Sequence, residues 1–480
     1  MNRQSFQNAV TTWARETDWT LLFFLLLVTD VKTAVKIVAV AAIFLLRPNF
    51  RFGLRWRPLR ESRLPLFYCA AAAIAVLNWL LRIGSSTVSQ DVLLLNGLFF
   101  WALCFLIIHQ LKLFVEQGGL ARIHRTLSFF FLLNILVSAG DLVHIMWVTG
   151  SLNPYQFQGM DQQYFIGTGD KIRGITFDFS LTNALINAFG LVYFARRRQF
   201  ALAVACMCVL LMTGSNFTNM LMVPILFVLF FFKSNKAQKI LAGGCLLLMV
   251  FFLRVISPEN KDYAAVTLEK LAGEQSFTVR AQTLKERKAL SEEQRLFDLR
   301  AAQILQADTF RPAGLERRLP GKVISFMETW RFMQTHPAKI LLGDGMGHFS
   351  SKLAFRATTL DVAGSYPAKY GYIDPDFKRN HLALYLFYFT KGTEHHSILN
   401  VPHSVYNQLV GEYGLIGLLA LFVLYFGYFL RHLKKLSYGI PALLILAVAF
   451  VADYWFEQLS LVILFELLLF LDIRESGSEN

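Results

Sequence analysis

The segment HHSILNVPHSVYNQLVGEYGLIGLLALF gathers the side chains best able to do chemistry. Pro402 precedes a polar helix entrance, and His403, Tyr406 and Asn407 stand at i, i+3 and i+4, so one helix face is expected to carry all three. At the mouth of an apolar helix that face is a reactive surface; a hydrogen-bonded structural histidine is the alternative. Glu412 follows His403 half a turn round the helix and is not expected to touch it.

Three other groupings invite a chemical reading. Gly343, Gly345 and Gly347 in HPAKILLGDGMGHF permit close backbone approach or positive φ. They fail as a dinucleotide fingerprint, because no strand and helix flank them in the required order; a turn packed tightly on the membrane domain is the other reading. Asp374 and Asp376 flank Pro375 as a pair of carboxylates, but a turn is the simpler account. His395 and His396 are adjacent and point apart, a weak metal pair, so no metal is expected.

The elements that position these groups are not those of a soluble protein. Of 480 residues 55% are hydrophobic and 17% charged, against roughly a quarter charged in soluble chains. The net charge of +14 is read as the orientation signal of a multispanning protein, with no nucleic-acid partner. Cys69, Cys104, Cys206, Cys208 and Cys245 all fall in apolar runs, so neither a disulfide framework nor a thiolate zinc site is expected. No cleavable signal peptide is expected either.

A hydrocarbon core about 30 Å thick needs roughly 20 apolar residues per helix, with every backbone group bonded inside the segment. On that rule the chain is all-α and polytopic, with about twelve transmembrane helices and one large, mainly helical periplasmic loop. The expected cores are 19–29, 34–46, 64–81, 92–109, 127–148, 177–195, 200–213, 220–232, 240–255, 405–430, 440–451 and 454–471. The first two are short and could form a shallow hairpin. The expected divisions are 1–256 (membrane domain), 257–402 (external loop) and 403–480 (the last three spans). Basic residues gather in one set of alternating connections: Arg47 to Arg63, Lys112 to Arg125, Arg196 to Arg198, Lys233 to Lys239 and Arg431 to Lys435. These are expected to be cytoplasmic together with both termini.

Glu466 interrupts the last span at a cost of about 3 kcal/mol, which about a dozen apolar residues at roughly 0.3 to 0.6 kcal/mol each offset; it is expected to face protein. Within the external segment, 259–310 is highly charged and helical in pattern. Leu296, Leu299 and Ile304 suggest amphipathic helices over the membrane body. A helix from Lys322 to about Thr335 should present Ile324, Met327 and Phe332 as apolar positions and stop before Pro337.

HSVYNQLVGEYGLIG entering a late span, HPAKILLGDGMGHF upstream, and KIRGITFDFSLTNALINAF entering an earlier span together resemble the O-antigen ligase and O-antigen polymerase superfamily. These are bacterial membrane glycosyltransferases with one large late periplasmic loop. The resemblance implies residence in the cell inner membrane and a donor glycan carried on undecaprenyl diphosphate. The implied acceptor is another lipid-linked glycan or lipid A core, with protein as a third choice. It implies no cofactor, contact with membrane lipid, and contact with other polysaccharide assembly proteins.

By resemblance His403 takes the place of the functional loop histidine. An imidazole with an ordinary pKa near 6.5 can take the acceptor's proton at neutral pH. Arg173 matches an arginine at the entrance of the earlier span, and a guanidinium suits a diphosphate through paired hydrogen bonds. Tyr406, Asn407 and Glu412 are the supporting residues. The chain departs from the family pattern twice. Asn216 follows Ser215 where the family has a Ser-Arg pair, and Lys322 replaces the loop arginine, with Arg331 as the other source of that charge. Polymerisation is the first expectation and ligation to lipid A core the second. A transporter or lipid flippase is the alternative of another class. It would need mid-bilayer ions and broken helices in two repeated halves; Glu466 and Pro224 fall within spans, but no two-half repeat is evident.

Overall fold

The structure is a computed structural model that describes residues 16–46, 64–84, 86–156, 166–231, 234–258, 260, 299–303, 319–360, 364, 366–389 and 398–478. Most of the charged stretch 259–310 lies outside the described residues, as do His395, His396 and the basic run 47–63. Among the described residues the protein is helical and contains no strand.

The first part of the chain comprises α1 (Trp19–Val28), α2 (Thr33–Leu46), α3 (Leu64–Leu80), α4 (Val88–Gln117), α5 (Leu120–Thr149), α6 (Ser180–Arg196), α7 (Phe200–Met212), α8 (Asn216–Phe231) and α9 (Lys236–Phe251). The intervening segment contributes α10 (Gly321–Thr335), α11 (Lys352–Ala357) and α12 (Ala383–Phe389). Then follow α13 (Val405–Ala420), α14 (Gly439–Ala452), α15 (Trp455–Gln458) and α16 (Ser460–Ser478). Among the described residues four helices are long and apolar enough to cross a membrane: α4, α5, α9 with its continuation to Ile256, and α13 with its continuation to Arg431. Six more are apolar but shorter. With a rise of about 1.5 Å per residue, the ten residues of α1 cannot by themselves span about 30 Å.

α16 runs through the middle of the bundle. Leu461 to Leu471 are almost wholly enclosed, and the helix packs against α4, α6 and α14. Glu466 is 2% exposed, and its Oε1 accepts hydrogen bonds from Tyr68 at 2.5 Å and Tyr425 at 3.0 Å. The carboxyl therefore faces protein. Glu466→Leu should strand two buried hydroxyls at about 1–3 kcal/mol each, whereas Glu466→Gln keeps an acceptor. Thermal unfolding in detergent should separate the two variants by several degrees, and equal melting temperatures would discount the network.

α10 begins and ends where its sequence suggests. Ile324 and Phe332 are buried, but Met327 is 37% exposed and so lies off the packed face. The last apolar run differs from one continuous helix. Leu459 takes φ 70° and separates α15 from α16, which turns the polar side chains of Tyr454 to Gln458 into the protein. The helix expected from 177 begins at Ser180, because Phe177 is left-handed at φ 51°.

α13 is also broken. Gly414 has φ 67° and ψ −168°, and the backbone groups this frees are met by the glycine turn of the segment between α10 and α11. Leu415 N–H donates to Ile340 O at 2.8 Å and Ile416 N–H to Leu341 O at 3.2 Å. In return Asp344 N–H donates to Gly411 O at 2.7 Å and Gly345 N–H to Glu412 O at 3.0 Å. Gly343, Gly345 and Gly347 have φ of 77°, 91° and 78°. The glycine run is a tightly packed turn.

Candidate functional site

His403 lies just before α13. Ser404 caps that helix, its side chain accepting from Tyr406 N–H, so His403 sits on extended backbone and the i, i+3, i+4 face does not form. Tyr406 OH instead donates to Ala447 O at 2.8 Å, and Asn407 Nδ2 to Ser325 Oγ at 3.1 Å. These two residues fasten α13 to α14 and α10. Glu412 is fully buried and accepts from Ser350 N–H at 3.1 Å; it shapes the segment before α11.

The imidazole is enclosed by rings. Tyr385 lies parallel to it at 5.8 Å and 5°, with Phe355 at 4.8 Å and Tyr454 at 4.8 Å. Nδ1 faces Asp453 Oδ1 at 3.5 Å. Nε2 is shielded from solvent and has no hydrogen-bond partner among the described residues. Burial pushes the imidazole below its ordinary 6.5; Asp453 opposes this, and Lys322 and Lys352 add to it. Burial alone would raise the Asp453 carboxyl, but the hydrogen bond and charge of His403, the charge of Lys352 and the Tyr454 N–H hold it low. The pair is a neutral imidazole, its Nδ1 proton directed at a carboxylate and its Nε2 lone pair unused.

Lys322 is 6% exposed, and its ammonium donates to His403 O and, at 3.1 Å, to Ala452 O. It joins the backbone that carries His403 to the backbone that carries Asp453. Desolvation pulls its pKa down to about 7, with Asp453 opposing. Lys322 thus holds the pair in place from behind. Arg331 is committed to Glu328 at 3.0 Å on the outer side of α10. Arg173 is exposed; its backbone N–H donates to Asp141 Oδ2 at 3.1 Å, and its charge acts on Asp141 and Asp170. The structure brings together His403 and Lys322, and shows no contact from either to Arg173 or Arg331 among the described residues.

Residues not singled out in the sequence complete the pocket. Asp453 stands in the short link between α14 and α15, where it is the one ion between two apolar runs; that isolation was the available signal. Lys352 acts electrostatically on His403, Asp453, Asp178, Glu457 and Lys36. Lys36 arrives from α2, whose preceding turn is hooked to the chain before α6 by Val31 N–H donating to Thr176 O at 3.1 Å. His381, fully buried, has no hydrogen-bond partner at either ring nitrogen among the described residues, and burial together with His403 and Lys322 holds its pKa down to about 3. It is a neutral spacer against Phe349, whose ring lies 4.8 Å away.

The aspartates at 374 and 376 belong to a separate cluster. Asp374 Oδ1 caps the Pro375 turn by accepting from Asp376 N–H at 2.8 Å, and its Oδ2 meets His348 Nδ1 at 2.8 Å. Asp344, Asp374 and Asp376 each bring a carboxylate oxygen within 4.8 Å of the others. Lys339 lies between Asp344 and Asp376 at 2.7 and 2.8 Å, and Arg82 pairs with Asp344 at 2.6 Å. The protein's own cations meet this charge and tie these turns to the one that follows α3.

No protein-family model matches the chain, and no curated protein matches it.

Proposed function

We propose that the protein is a membrane glycosyltransferase that polymerises or transfers a glycan carried on undecaprenyl diphosphate, working at the outer face of a bacterial inner membrane. The observation that carries this reading is the His403–Asp453 pair: a neutral imidazole oriented by a carboxylate, with one nitrogen free, beside cationic side chains. In this reading about twelve helices cross the membrane, both termini are cytoplasmic, and the external segment 257–402 folds over the donor.

The chemistry balances without a cofactor. Nε2 of His403 takes the proton of an acceptor sugar hydroxyl as its oxygen bonds to the anomeric carbon of the donor. The bond from that carbon to the diphosphate oxygen breaks, and its electron pair leaves on undecaprenyl diphosphate, whose charge nearby cations compensate. The imidazolium, stabilised by Asp453, then returns the proton to water. The acceptor is another lipid-linked glycan in the polymerase form of this proposal and lipid A core in the ligase form.

Purified protein in liposomes with lipid-linked glycan should release undecaprenyl diphosphate and form glycosidic bonds. Movement of the lipid between leaflets without bond formation would instead support a flippase. A deletion strain separates the two transferase forms. Single-repeat surface glycan indicates a polymerase, and accumulated long lipid-linked chains indicate a ligase.

A further inference from the structure

The pocket needs a cation able to meet the departing anion, and neither Lys322 nor Arg331 is free to do so. The geometry points to Lys352 as the side chain that binds the donor's diphosphate, a role that rests on the transferase reading above.

Lys352 and Phe355 stand at i and i+3 of α11 and share one face. The Phe355 ring is edge-on to His403 at 4.8 Å, so the lysine is carried on the surface that meets the imidazole. Its backbone is held firmly: Lys352 N–H donates to Glu457 Oε2 at 2.5 Å, and the neighbouring Ser351 caps α11 by accepting from Ala354 N–H at 3.1 Å. Its ammonium, by contrast, makes no hydrogen bond or ion pair with any described residue. The residue is partly buried, its stem packed while its ammonium is left to a ligand.

Lys322, Lys36 and Lys339 lack this freedom, and Arg173 shows no contact with the His403 pair among the described residues. Lys322 is spent on two carbonyls, Lys36 donates to Asp30 O, and Lys339 lies between two aspartates. Asp453 and Asp178 share the field of Lys352, and they would repel an anion that approached without it. Lys352 therefore decides whether a diphosphate can enter beside the base.

The test titrates inorganic pyrophosphate into the purified full-length protein in detergent at low salt, by calorimetry. Lys352→Ala should weaken binding at least about tenfold, Lys352→Arg should restore it to within a few-fold, and Lys369→Ala, which removes an exposed cation of the same external segment, should leave it unchanged. Should the alanine variant fail to fold, the uncharged Lys352→Gln variant takes its place. Wild-type affinity in the alanine or glutamine variant would overturn the assignment, as would absence of pyrophosphate binding by the wild type. Glycan transfer by the wild-type protein in liposomes separates this inference from the reading beneath it. Lys352-dependent binding without any glycosidic product rejects only the transferase, and glycosidic product with binding indifferent to Lys352 rejects only the role of Lys352.

Discussion

Replacing His403 with alanine should lower glycan transfer by about 10²–10⁴-fold, the usual contribution of a positioned general base. The variant also leaves the buried Asp453 carboxylate without its imidazole partner, so recovery of folded protein is followed alongside by size-exclusion, and the rate is read per folded molecule. Asp453→Asn should cost about 10² or more in rate. The amide removes the negative charge that favours imidazolium as the proton moves, and it can hydrogen-bond the wrong tautomer of the ring.

The pH profile distinguishes this role from a structural one. Burial has already lowered the folded pKa of His403 below 6.5, so the base form prevails at pH 7, and a decline above that pH is expected as Lys322, its pKa pulled down to about 7, loses the proton with which it holds the pair. Activity should also fall on the acid side, below pH 6.5. Asp453 raises the pKa of His403; without that carboxylate the acid limb should move to still lower pH. Transfer measured between pH 4.5 and 8 checks this, and an acid limb that stays in place or moves upward would remove Asp453 from the role.

Gly343→Ala and Gly414→Ala should each abolish recovery of folded protein. A Cβ on Gly343 would lie 2.4 Å from the Glu412 carbonyl carbon, and one on Gly414 would lie 2.3 Å from Leu341 O, both of them backbone atoms that cannot swing away. Positive φ adds about 1–2 kcal/mol for a residue with a side chain. Together these effects put the loss beyond about 4 kcal/mol, a large share of a typical total stability. Gly84→Ala is the control, since nothing lies within 4 Å of its added Cβ. Size-exclusion profiles of fluorescently tagged variants should show a single peak for the control and none for the other two; a normal peak from Gly343→Ala or Gly414→Ala would refute the close packing.

The helices were legible wherever one signal dominated. α10 follows its apolar spacing and stops at Pro337, and the glycine run declares a backbone with positive φ. The long apolar runs give α4, α5 and α9. Breaks inside such runs were not legible, because at Gly414 and Leu459 tertiary hydrogen bonds and polar burial override a uniform composition. The site was half visible. His403 stands out as a histidine at a helix entrance, whereas its orienting partner Asp453 lies some fifty residues later and meets it only through packing of α14. The supporting roles given to Tyr406 and Asn407 depended on a helix that begins two residues later than their spacing implied. The charge of Lys322 was visible, but its enclosure by two carbonyls was not.

The rings around His403 carry one more consequence. With Nε2 closed to solvent, the resting protein offers no activated water to a sugar whose lipid carrier makes it prone to hydrolysis. An incoming alcohol must part those rings before it can be deprotonated, so the enzyme proposed here would spend its energy-rich donor only when a recipient is docked. Wasteful cleavage would be suppressed by the Phe355, Tyr385 and Tyr454 rings themselves.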